Sequence, residues 1–215
     1  MPMLLNSAAL PFDDVNYAFE VKYDGVRMTA RAADGEARLF NRRLNERTRQ
    51  YPEITEQVGL LCQESGQTIL DGEIIALSES GVPDFYRVMK RDRVENPSKS
   101  FIREIPVYFM VFDITEYNGA PLYETEYALR REVLESFFAE KSANSPARAE
   151  PPNVKLTDSI KSDGTALFAA VKNEKLEGIV AKRLDSLYYV NSRSRDWLKI
   201  KINDYKRPQR ITNNE

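Results

Sequence analysis

Hydrophobic and polar residues alternate in several short runs of the chain, and turn residues separate these runs. Such alternation is typical of β-strands with one buried face, and Asp-Gly or Asn-Gly pairs are typical of the tight turns between them. Asp34-Gly35 and Asn118-Gly119 are two such pairs. The run at 106–115 is apolar at both alternating sets of positions, which predicts a strand buried on both faces. Altogether the pattern predicts strands over residues 17–22, 27–31, 37–40, 68–77, 106–115, 154–156, 178–182 and 197–202.

Elsewhere, apolar residues recur three and four positions apart, as they do on one face of an amphipathic helix. Ile54, Val58 and Leu61 follow this spacing after Pro52, a residue type that is favoured at the start of a helix. The pattern predicts helices over residues 52–62, 84–90, 127–141 and 164–176. Residues 142–152 contain three prolines and predict a surface loop. Many turn-bounded strands together with these helices predict an α+β fold, in which antiparallel sheets are flanked by helices.

The chain of 215 residues contains one cysteine and no histidine, and this composition excludes several kinds of site. Without histidine there is no Ser-His-Asp or Cys-His triad, and nearly all types of zinc site are excluded. The single Cys62 cannot form an internal disulfide, which favours a reducing cytoplasm. Any catalysis must therefore use carboxylates, Lys, Arg, Tyr, Ser or Thr, and a hard metal ion is the partner that such groups suit.

Positive and negative charges nearly cancel, because 31 Lys and Arg residues face 33 Asp and Glu residues, for a net charge of −2. A surface that binds nucleic acid would therefore have to be local, since the whole chain lacks the excess of positive charge that such proteins usually carry. No apolar run approaches the ~20 residues of a membrane span, and the N-terminus lacks the basic segment of a secretory signal. We expect a soluble cytoplasmic protein that makes no contact with a membrane.

Charged residues interrupt the apolar pattern of four predicted strands, and a buried charge is costly unless it is paired or used. Lys22 lies beside a turn and would be a nucleophile if its amine were uncharged, a form that burial and neighbouring cations favour. Lys199 and Lys201 lie on one face of a strand and repel one another unless an anion such as phosphate lies between them. Taken alone, each segment also fits an exposed turn, a solvated strand face or an ordinary charged boundary. The four segments are 20–27 (EVKYDGVR), 70–75 (LDGEII), 176–182 (LEGIVAK) and 195–201 (RDWLKIK).

Taken together and in this order, the segments resemble the motifs of the covalent nucleotidyltransferases, and the similarity is closest to ATP-dependent DNA ligases. The segments at 70–77, 83–85 and 193–201 resemble the ligase domains of bacterial end-joining enzymes in particular. The similarity covers about residues 2–205 and implies an adenylation domain over 1–203 with the covalent nucleotidyltransferase fold, which is ATP-grasp-like. The matching segments are 22–27 (motif I), 40–43 (the Ser-Arg-Asn element), 70–73 (motif III), 109–113 (motif IIIa), 177–182 (motif IV) and 197–201 (motif V).

This resemblance implies a role for each matching residue. Lys22 would attack the α-phosphate of ATP and carry AMP as a lysyl-adenylate, with pyrophosphate as the leaving group. Glu20 would read the adenine and Phe112 would stack on it, while Arg27 and Glu73 would hold the ribose. The remaining residues are implied in phosphate and metal binding: Lys182, Lys199 and Lys201 would contact the α-phosphate, Glu73 and Glu177 would bind the metal, and Arg42 would bind phosphate on the DNA side.

The implied cofactors are ATP and Mg²⁺, with Mn²⁺ as a substitute, because carboxylate and phosphate oxygens suit a hard cation. The adenylate would pass to the 5′-phosphate of nicked double-stranded DNA, and a 3′-hydroxyl would displace AMP and seal the nick. DNA repair, recombination and replication are the processes in which the family acts. We expect a monomer, with end-joining repair proteins as its partners.

Two departures from the family pattern modify these expectations. Asn41-Arg42-Arg43 stands where the family has Ser-Arg-Asn, so the polar contacts beside Arg42 should differ. DNA ligases also continue after motif V into an OB-fold domain, whereas residues 204–215 can form only a tail or a linker. We therefore expect slower nick sealing unless that domain is supplied in cis or in trans. An RNA ligase, a GTP-using capping enzyme and a non-catalytic module that binds adenine nucleotides remain alternative interpretations.

Overall fold

Two β-sheets and five α-helices make up the described part of the chain, which is residues 1–8, 10–143 and 153–207 of a computed structural model. The strands are β1 (Leu4–Ser7), β2 (Asp14–Val21), β3 (Val26–Ala33), β4 (Glu36–Asn41), β5 (Thr68–Ala76), β6 (Val107–Tyr117), β7 (Ala120–Pro121), β8 (Val154–Leu156), β9 (Ser159–Ser162), β10 (Gly178–Arg183) and β11 (Arg193–Lys201). The helices are α1 (Pro52–Leu61), α2 (Phe85–Asp92), α3 (Lys99–Glu104), α4 (Tyr127–Ala143) and α5 (Gly164–Asn173), and a 3₁₀ turn covers Thr48–Gln50.

The first sheet has the strand order β1-β11-β10-β2-β9. Its three central strands pair antiparallel, so that Glu20 on β2 lies opposite Val180 on β10, and Lys182 on β10 lies opposite Trp197 on β11. Helix α5 packs on this sheet, and apolar side chains such as Phe19 and Ile179 are fully buried between them. The register therefore brings three of the charged segments side by side in the middle of the sheet.

The second sheet has the order β4-β3-β5-β6-β7, and β8 pairs with β6 outside this path. Helices α1, α2 and α4 pack against it and form the larger hydrophobic core of the described chain. Arg27 on β3 lies opposite Glu73 on β5, and β5 pairs in turn with β6. A register shift in the β5–β6 pairing between Asp71 and Gly72 marks a β-bulge, a feature that re-aims neighbouring side chains.

A smaller buried cluster lies where the two sheets approach each other. It contains Met3, Tyr127, Tyr188 and Trp197, and the partly buried Phe112 of the second sheet packs against it. Aromatic rings meet edge-on here, with centroid distances of 5.6 Å between Tyr127 and Trp197 and 6.1 Å between Tyr188 and Trp197. This cluster fixes the floor of the cleft between the sheets. In the described residues, no helix is both long and apolar enough to cross a membrane.

The predicted α+β class is confirmed, and most predicted strands and helices lie within a few residues of the observed ones. Antiparallel pairing dominates both sheets as predicted, and two short strands are exceptions, because β1 pairs parallel with β11 and β8 pairs parallel with β6. Strands β1, β7 and β9 and helix α3 were not predicted; each is six residues or shorter, too short for a clear period. Residues 142 and 143 of the predicted loop belong to α4, and residues 144–152 lie outside the described residues.

Candidate active site

Lys22 follows β2 directly, and its backbone amide donates a hydrogen bond of 2.9 Å to the carbonyl oxygen of Gly178 on the neighbouring strand β10. Gly178 has a φ of +151°, and a Cβ at this position would lie 2.1 Å from the carbonyl oxygen of Ile200. Only glycine therefore allows β10 to begin this close to β11. The result is that Glu177, the residue before β10, lies next to Lys22.

Two lysines pair with the Glu177 carboxylate, and a third, Lys199, lies near them on β11. The Nζ of Lys22 lies 2.5 Å from one carboxylate oxygen, and the Nζ of Lys201 lies 2.6 Å from the other. Burial alone raises the pKa of Glu177, but the two ammonium groups more than compensate and hold that pKa below its usual value. Burial together with nearby Lys201, Arg193 and Lys22 lowers the pKa of Lys199. Positive charge is thus concentrated at one end of the cleft, an arrangement that suits phosphate.

Arg27 is held rigidly on the opposite sheet. Its guanidinium donates to both carboxylate oxygens of Asp71, at 3.0 and 2.7 Å, and to the carbonyl oxygen of Met3 at 2.7 Å. The Tyr188 hydroxyl donates to Asp71 at 2.5 Å, so this carboxylate is buried but well satisfied. The guanidinium carbon also lies 5.2 Å from the centre of the Phe112 ring. Arg27 therefore supports the ring that lines the cleft, and its expected contact with a ribose stays a prediction.

Glu73 projects from β5 into the same cleft, where burial raises the pKa of its carboxyl to about 7 and Lys22 and Arg27 partly oppose the rise. Among the side chains that the structure describes, none donates a hydrogen bond to this carboxylate. A partly buried acid without a donor is costly in its ionised form unless a cation or a hydroxyl group pairs with it. Glu73 is therefore available to a ligand.

The deep end of the cleft contains a buried charged network around Glu20. Lys182 lies 2.7 Å from one Glu20 oxygen and donates to the carbonyl oxygen of Phe112 at 3.0 Å, while the Tyr127 hydroxyl donates to the other Glu20 oxygen. Burial lowers the pKa of Lys182 despite this pairing. Its ammonium also lies 4.3 Å from the Trp197 ring centre and 4.6 Å from that of Phe112, within range of cation–π attraction.

Lys182 was expected at the α-phosphate, and that role stays a prediction. In this structure its ammonium is bound to Glu20 and is 2% exposed, beneath the ring of Phe112. Arg131 on α4 adds a second cation, 3.7 Å from Glu20. Glu20 is thus a buried carboxylate that Lys182, Tyr127 and Arg131 hold in one orientation, and its expected contact with adenine stays a prediction.

A cleft lies between the two sheets and is lined by residues of both. Six of the predicted site residues line it, and the Lys22–Glu177 pair lies at its charged end. Leu5, Val180 and Trp197 supply apolar walls. The predicted residues in the lining are Glu20, Lys22, Arg27, Glu73, Phe112 and Lys182.

Four of the predicted residues do not line the cleft. Glu177, Lys199 and Lys201 lie near Lys22 at its charged end, whereas Arg42 lies on another part of the surface. It is exposed on the loop after β4, an edge strand of the second sheet. Asn41 organises this loop, because its side-chain oxygen accepts hydrogen bonds from the backbone amides of Arg43 at 2.9 Å and Asn45 at 3.0 Å. The Arg42 side chain thus projects from an ordered turn on the surface, where it is accessible to a macromolecule.

Several residues that hold this site were not found from the sequence. Tyr127 and Arg131 orient Glu20, and Tyr188 completes the environment of Asp71. Tyr127 and Arg131 belong to α4, whose periodicity predicted only a packed helix. The Arg130-Arg131 pair within that helix was the one available signal, since charged residues are almost never fully buried without partners. Their partners lie on other elements, and spacing along the chain does not reveal them.

Glu73 and Glu177 are the candidate metal ligands that the structure brings to this site. In the described residues no three Asp, Glu, Cys or His side chains form a group that could hold an ion by themselves. Mg²⁺ commonly uses only one or two carboxylates and completes its coordination with substrate phosphates and water. The donor set around Lys22 therefore fits a cation that arrives with a nucleotide.

Comparisons with protein families and with individual proteins identify the same family. A family model described as the ATP dependent DNA ligase domain matches residues 2–201. The SPbeta prophage-derived DNA ligase-like protein LigB of Bacillus subtilis is 34% identical over 204 residues, which are 95% of this chain and 68% of that protein. The multifunctional non-homologous end joining protein LigD of Mycolicibacterium smegmatis is 32% identical over 202 residues, but the chain spans only 24% of its length.

Solved structures agree with this match. The ligase domain of LigD from M. tuberculosis superposes with a TM-score of 0.76 at 28% identity. The matched region covers 93% of this chain and 60% of the chain in that structure. A mycobacterial DNA ligase D complexed with ATP and MES gives a TM-score of 0.74 at 27% identity. The bacteriophage T7 ATP-dependent DNA ligase, at 17% identity and a TM-score of 0.60, shares the fold. The chain therefore has the expected nucleotidyltransferase fold and belongs to the ATP-dependent DNA ligase domain family.

Proposed function

We propose that this chain is the adenylating domain of an ATP-dependent DNA ligase and that Lys22 is its nucleophile. The observation that carries the proposal is the position of the Lys22 amine, which lies at the charged end of the cleft, 2.5 Å from Glu177 and close to Lys199 and Lys201. A lysine that lines a cleft and lies among other cations meets the requirements for nucleotidyl transfer, which depends on positioning and on charge neutralisation.

In the proposed reaction, the Lys22 amine forms a bond to the α-phosphorus of ATP. The bond from that phosphorus to pyrophosphate breaks, and the amine releases one proton to the solvent. Glu177 orients the amine through its hydrogen bond, while Lys199 and Lys201 neutralise charge on the phosphate. In the second step, a DNA 5′-phosphate oxygen attacks the same phosphorus and releases Lys22; in the third, a 3′-hydroxyl displaces AMP.

The adenine would lie in the deep half of the cleft, between Phe112 and the middle of β10, with its edge towards Glu20. Arg27 and Glu73 would lie beside the ribose. The support for this orientation is the separation of the two charged networks, because Glu20 with Lys182 occupies one end and Glu177 with Lys22 the other. Mg²⁺, or Mn²⁺ in its place, would be held by Glu73 and Glu177, and when bound it would neutralise phosphate charge.

The substrate and context are further parts of the proposal. Nicked double-stranded DNA would bind across the open mouth of the cleft, with Arg42 on its phosphate backbone. The chain spans about a quarter of the end-joining relative and 60% of the solved LigD ligase domain, so an OB-fold domain in cis or in trans is proposed to complete the DNA clamp. We propose that the protein acts in DNA repair, recombination or replication. We also propose that it is a cytoplasmic monomer with end-joining proteins as partners.

The test is intact-mass measurement after incubation with ATP and Mg²⁺. We expect a mass increase of one AMP, its loss in Lys22→Ala, and its retention in Lys161→Ala, which removes an exposed lysine of β9. A labelled Lys22→Ala protein would contradict the assignment of the nucleophile. Labelling by GTP would indicate a capping-type enzyme, and reversible ATP binding without a mass increase would indicate a binding module. A preference for nicked RNA over nicked DNA would favour an RNA ligase.

A further inference from the structure

Asp24, two residues after Lys22, is a buried carboxylate whose partners all come from a distant part of the chain. Its side chain is 5% exposed. Arg207 donates to both oxygens, at 2.8 and 2.9 Å, and the Tyr205 hydroxyl donates at 3.1 Å. Among the residues that the structure describes, no other side chain pairs with this carboxylate. Asp24 therefore depends on residues 205–207 for its neutralisation.

The segment that supplies these partners is anchored along its path. After β11, the amide of Ile202 donates to the Glu177 carbonyl oxygen at 3.1 Å, and the amide of Tyr205 donates to Ile202 at 3.1 Å. The Arg207 guanidinium then lies 3.8 Å from the centre of the Phe85 ring at the start of α2. The pKa of Arg207 is raised by its hydrogen bonds to Asp24, so the guanidinium is a stable cation. Residues 202–207 thus connect Glu177, the turn after Lys22 and helix α2.

The turn itself has little freedom elsewhere. A Cβ on Gly25 would lie 2.3 Å from the carbonyl oxygen of Ile74, so the backbone of the turn is pressed against β5. On the other side, the Lys22 amide is bonded to Gly178. Between these two fixed points, the Asp24 carboxylate holds the turn in place through its hydrogen bonds to Tyr205 and Arg207. If it were unpaired, its charge would also compete for the Lys22 ammonium.

From these contacts we infer that Tyr205 and Arg207 are positioning residues for the Lys22 nucleophile and that they act through Asp24. This inference rests on the proposed role of Lys22. Neither residue lines the nucleotide cleft, so their loss should slow the adenylation step and leave ATP binding nearly unchanged. Because a small misplacement of a reacting group can cost about a hundredfold in rate, a tenfold effect or more is expected for Arg207→Ala.

The experiment measures the rate of Lys22 adenylation against ATP concentration in the full chain, with thermal unfolding in parallel. Arg207→Ala should lower the maximal rate about tenfold or more and change the KM for ATP by less than about twofold. Arg207→Lys should restore little of the adenylation rate, because an ammonium group cannot replace a guanidinium that binds both oxygens of Asp24. Tyr205→Phe should have a smaller effect. Lys206→Ala is the matched control, since Lys206 is exposed in the same segment, and it should behave as the wild type.

Two further measurements separate positioning from a general loss of structure. Methylguanidinium should partly restore the rate of Arg207→Ala, whereas sodium at equal ionic strength should not. The double variant Asp24→Asn, Arg207→Ala should be no slower than the slower single variant. Both substitutions remove the same contact, and the effects of substitutions at residues in contact do not add. A wild-type rate in Arg207→Ala, or a loss that follows the melting temperature without rescue, would overturn the inference. Failure of the wild type to become adenylated would overturn both this inference and the proposed function.

Discussion

At the scale of single residues, the site depends on carboxylates whose surroundings give them different properties. Glu177 lies between two ammonium groups, which hold its pKa below the usual value, whereas burial raises the pKa of Glu73 to about 7. Glu20 is satisfied by Lys182 and Tyr127 at the deep end of the same cleft. One residue type thus has three different environments in one site, and the neighbouring groups decide the charge and the hydrogen bonds of each carboxylate.

Glu177→Gln should lower the rate of Lys22 adenylation by about a hundredfold or more, because the amide cannot hold two ammonium groups and is a poor metal ligand. The measurement is the initial rate of AMP incorporation at saturating ATP. Glu174→Gln, an exposed change three residues earlier, is the matched control and should have the wild-type rate. A Glu177→Gln enzyme that retains more than half of the wild-type rate would remove Glu177 from the mechanism.

Cys62 should be unreactive in the folded protein. Its side chain is fully buried, and burial raises the pKa of the thiol to about 12. Since only the thiolate reacts, no modification by a chromogenic disulfide reagent is expected at pH 8 until a denaturant is added. Because the folded-state pKa lies above the unfolded value, any stability from this thiol is lost only as the pH rises through the alkaline range. Rapid labelling of native protein at pH 8 would show that α1 opens readily.

At the scale of secondary-structure elements, a buried ion pair connects helix α4 to the second sheet. Arg130 on α4 donates to both oxygens of Asp113 on β6, at 3.0 and 2.9 Å, and both side chains are fully buried. Arg130 also donates to the carbonyl oxygen of Thr125 at 2.6 Å. The same helix carries Tyr127 and Arg131 to Glu20, so the position of α4 affects the deep end of the cleft.

Asp113→Asn should therefore reduce the free energy of unfolding by about 3–5 kcal/mol, because it leaves the Arg130 charge buried without its partner. Urea denaturation followed by circular dichroism measures this change. Glu104→Gln is the comparison, since its pair with Lys90 at 3.0 Å is more than half exposed and should contribute only about 0–1 kcal/mol. Equal losses in the two variants would mean that the α4–β6 contact does not need this ion pair.

At the scale of the whole molecule, a net charge of −2 coexists with local concentrations of positive charge. Lys199 and Lys201 lie at the charged end of the cleft, and Arg42 and Arg43 are exposed on the loop after β4. Acidic residues elsewhere balance them, as the charge count requires. Such a distribution allows a weak attraction to DNA on one part of the surface without general affinity for polyanions.

Binding of a nicked duplex by this chain should accordingly be weak and sensitive to salt. Each pair of phosphates that the protein neutralises should cost about tenfold in affinity between 50 and 200 mM salt. Fluorescence anisotropy of a labelled duplex measures the slope. Arg42→Ala should reduce the slope, and Lys161→Ala on the first sheet should leave it unchanged. A Kd that is independent of salt would contradict a phosphate-binding surface. Addition of an OB-fold domain should tighten binding and accelerate nick sealing.

The sequence alone was sufficient for the class of the fold, for the central strands and longer helices, and for the family resemblance. These features are local or ordered along the chain: Asp34-Gly35 forms its turn from its own two residues, and the motif around Lys22 is contiguous. Elements that depend on distant partners were missed. Strand β1 exists because it pairs with β11, almost 190 residues later, and its own four residues carry no clear period.

The site shows the same division. Lys22, Glu73, Glu177 and the lysines of β11 were chosen from the sequence in two steps. Costly charges within apolar strand patterns indicated four segments, and the order of those segments resembled the motifs of the family. Only the tertiary structure decided which charges meet: Lys182 is bound to Glu20 beneath Phe112, and Asp24 is bound to Arg207 from beyond the last strand. The physical reason is that the sequence specifies residue types and their local order directly. Ion pairing depends instead on distances in space, and these distances are set by sheet register and packing.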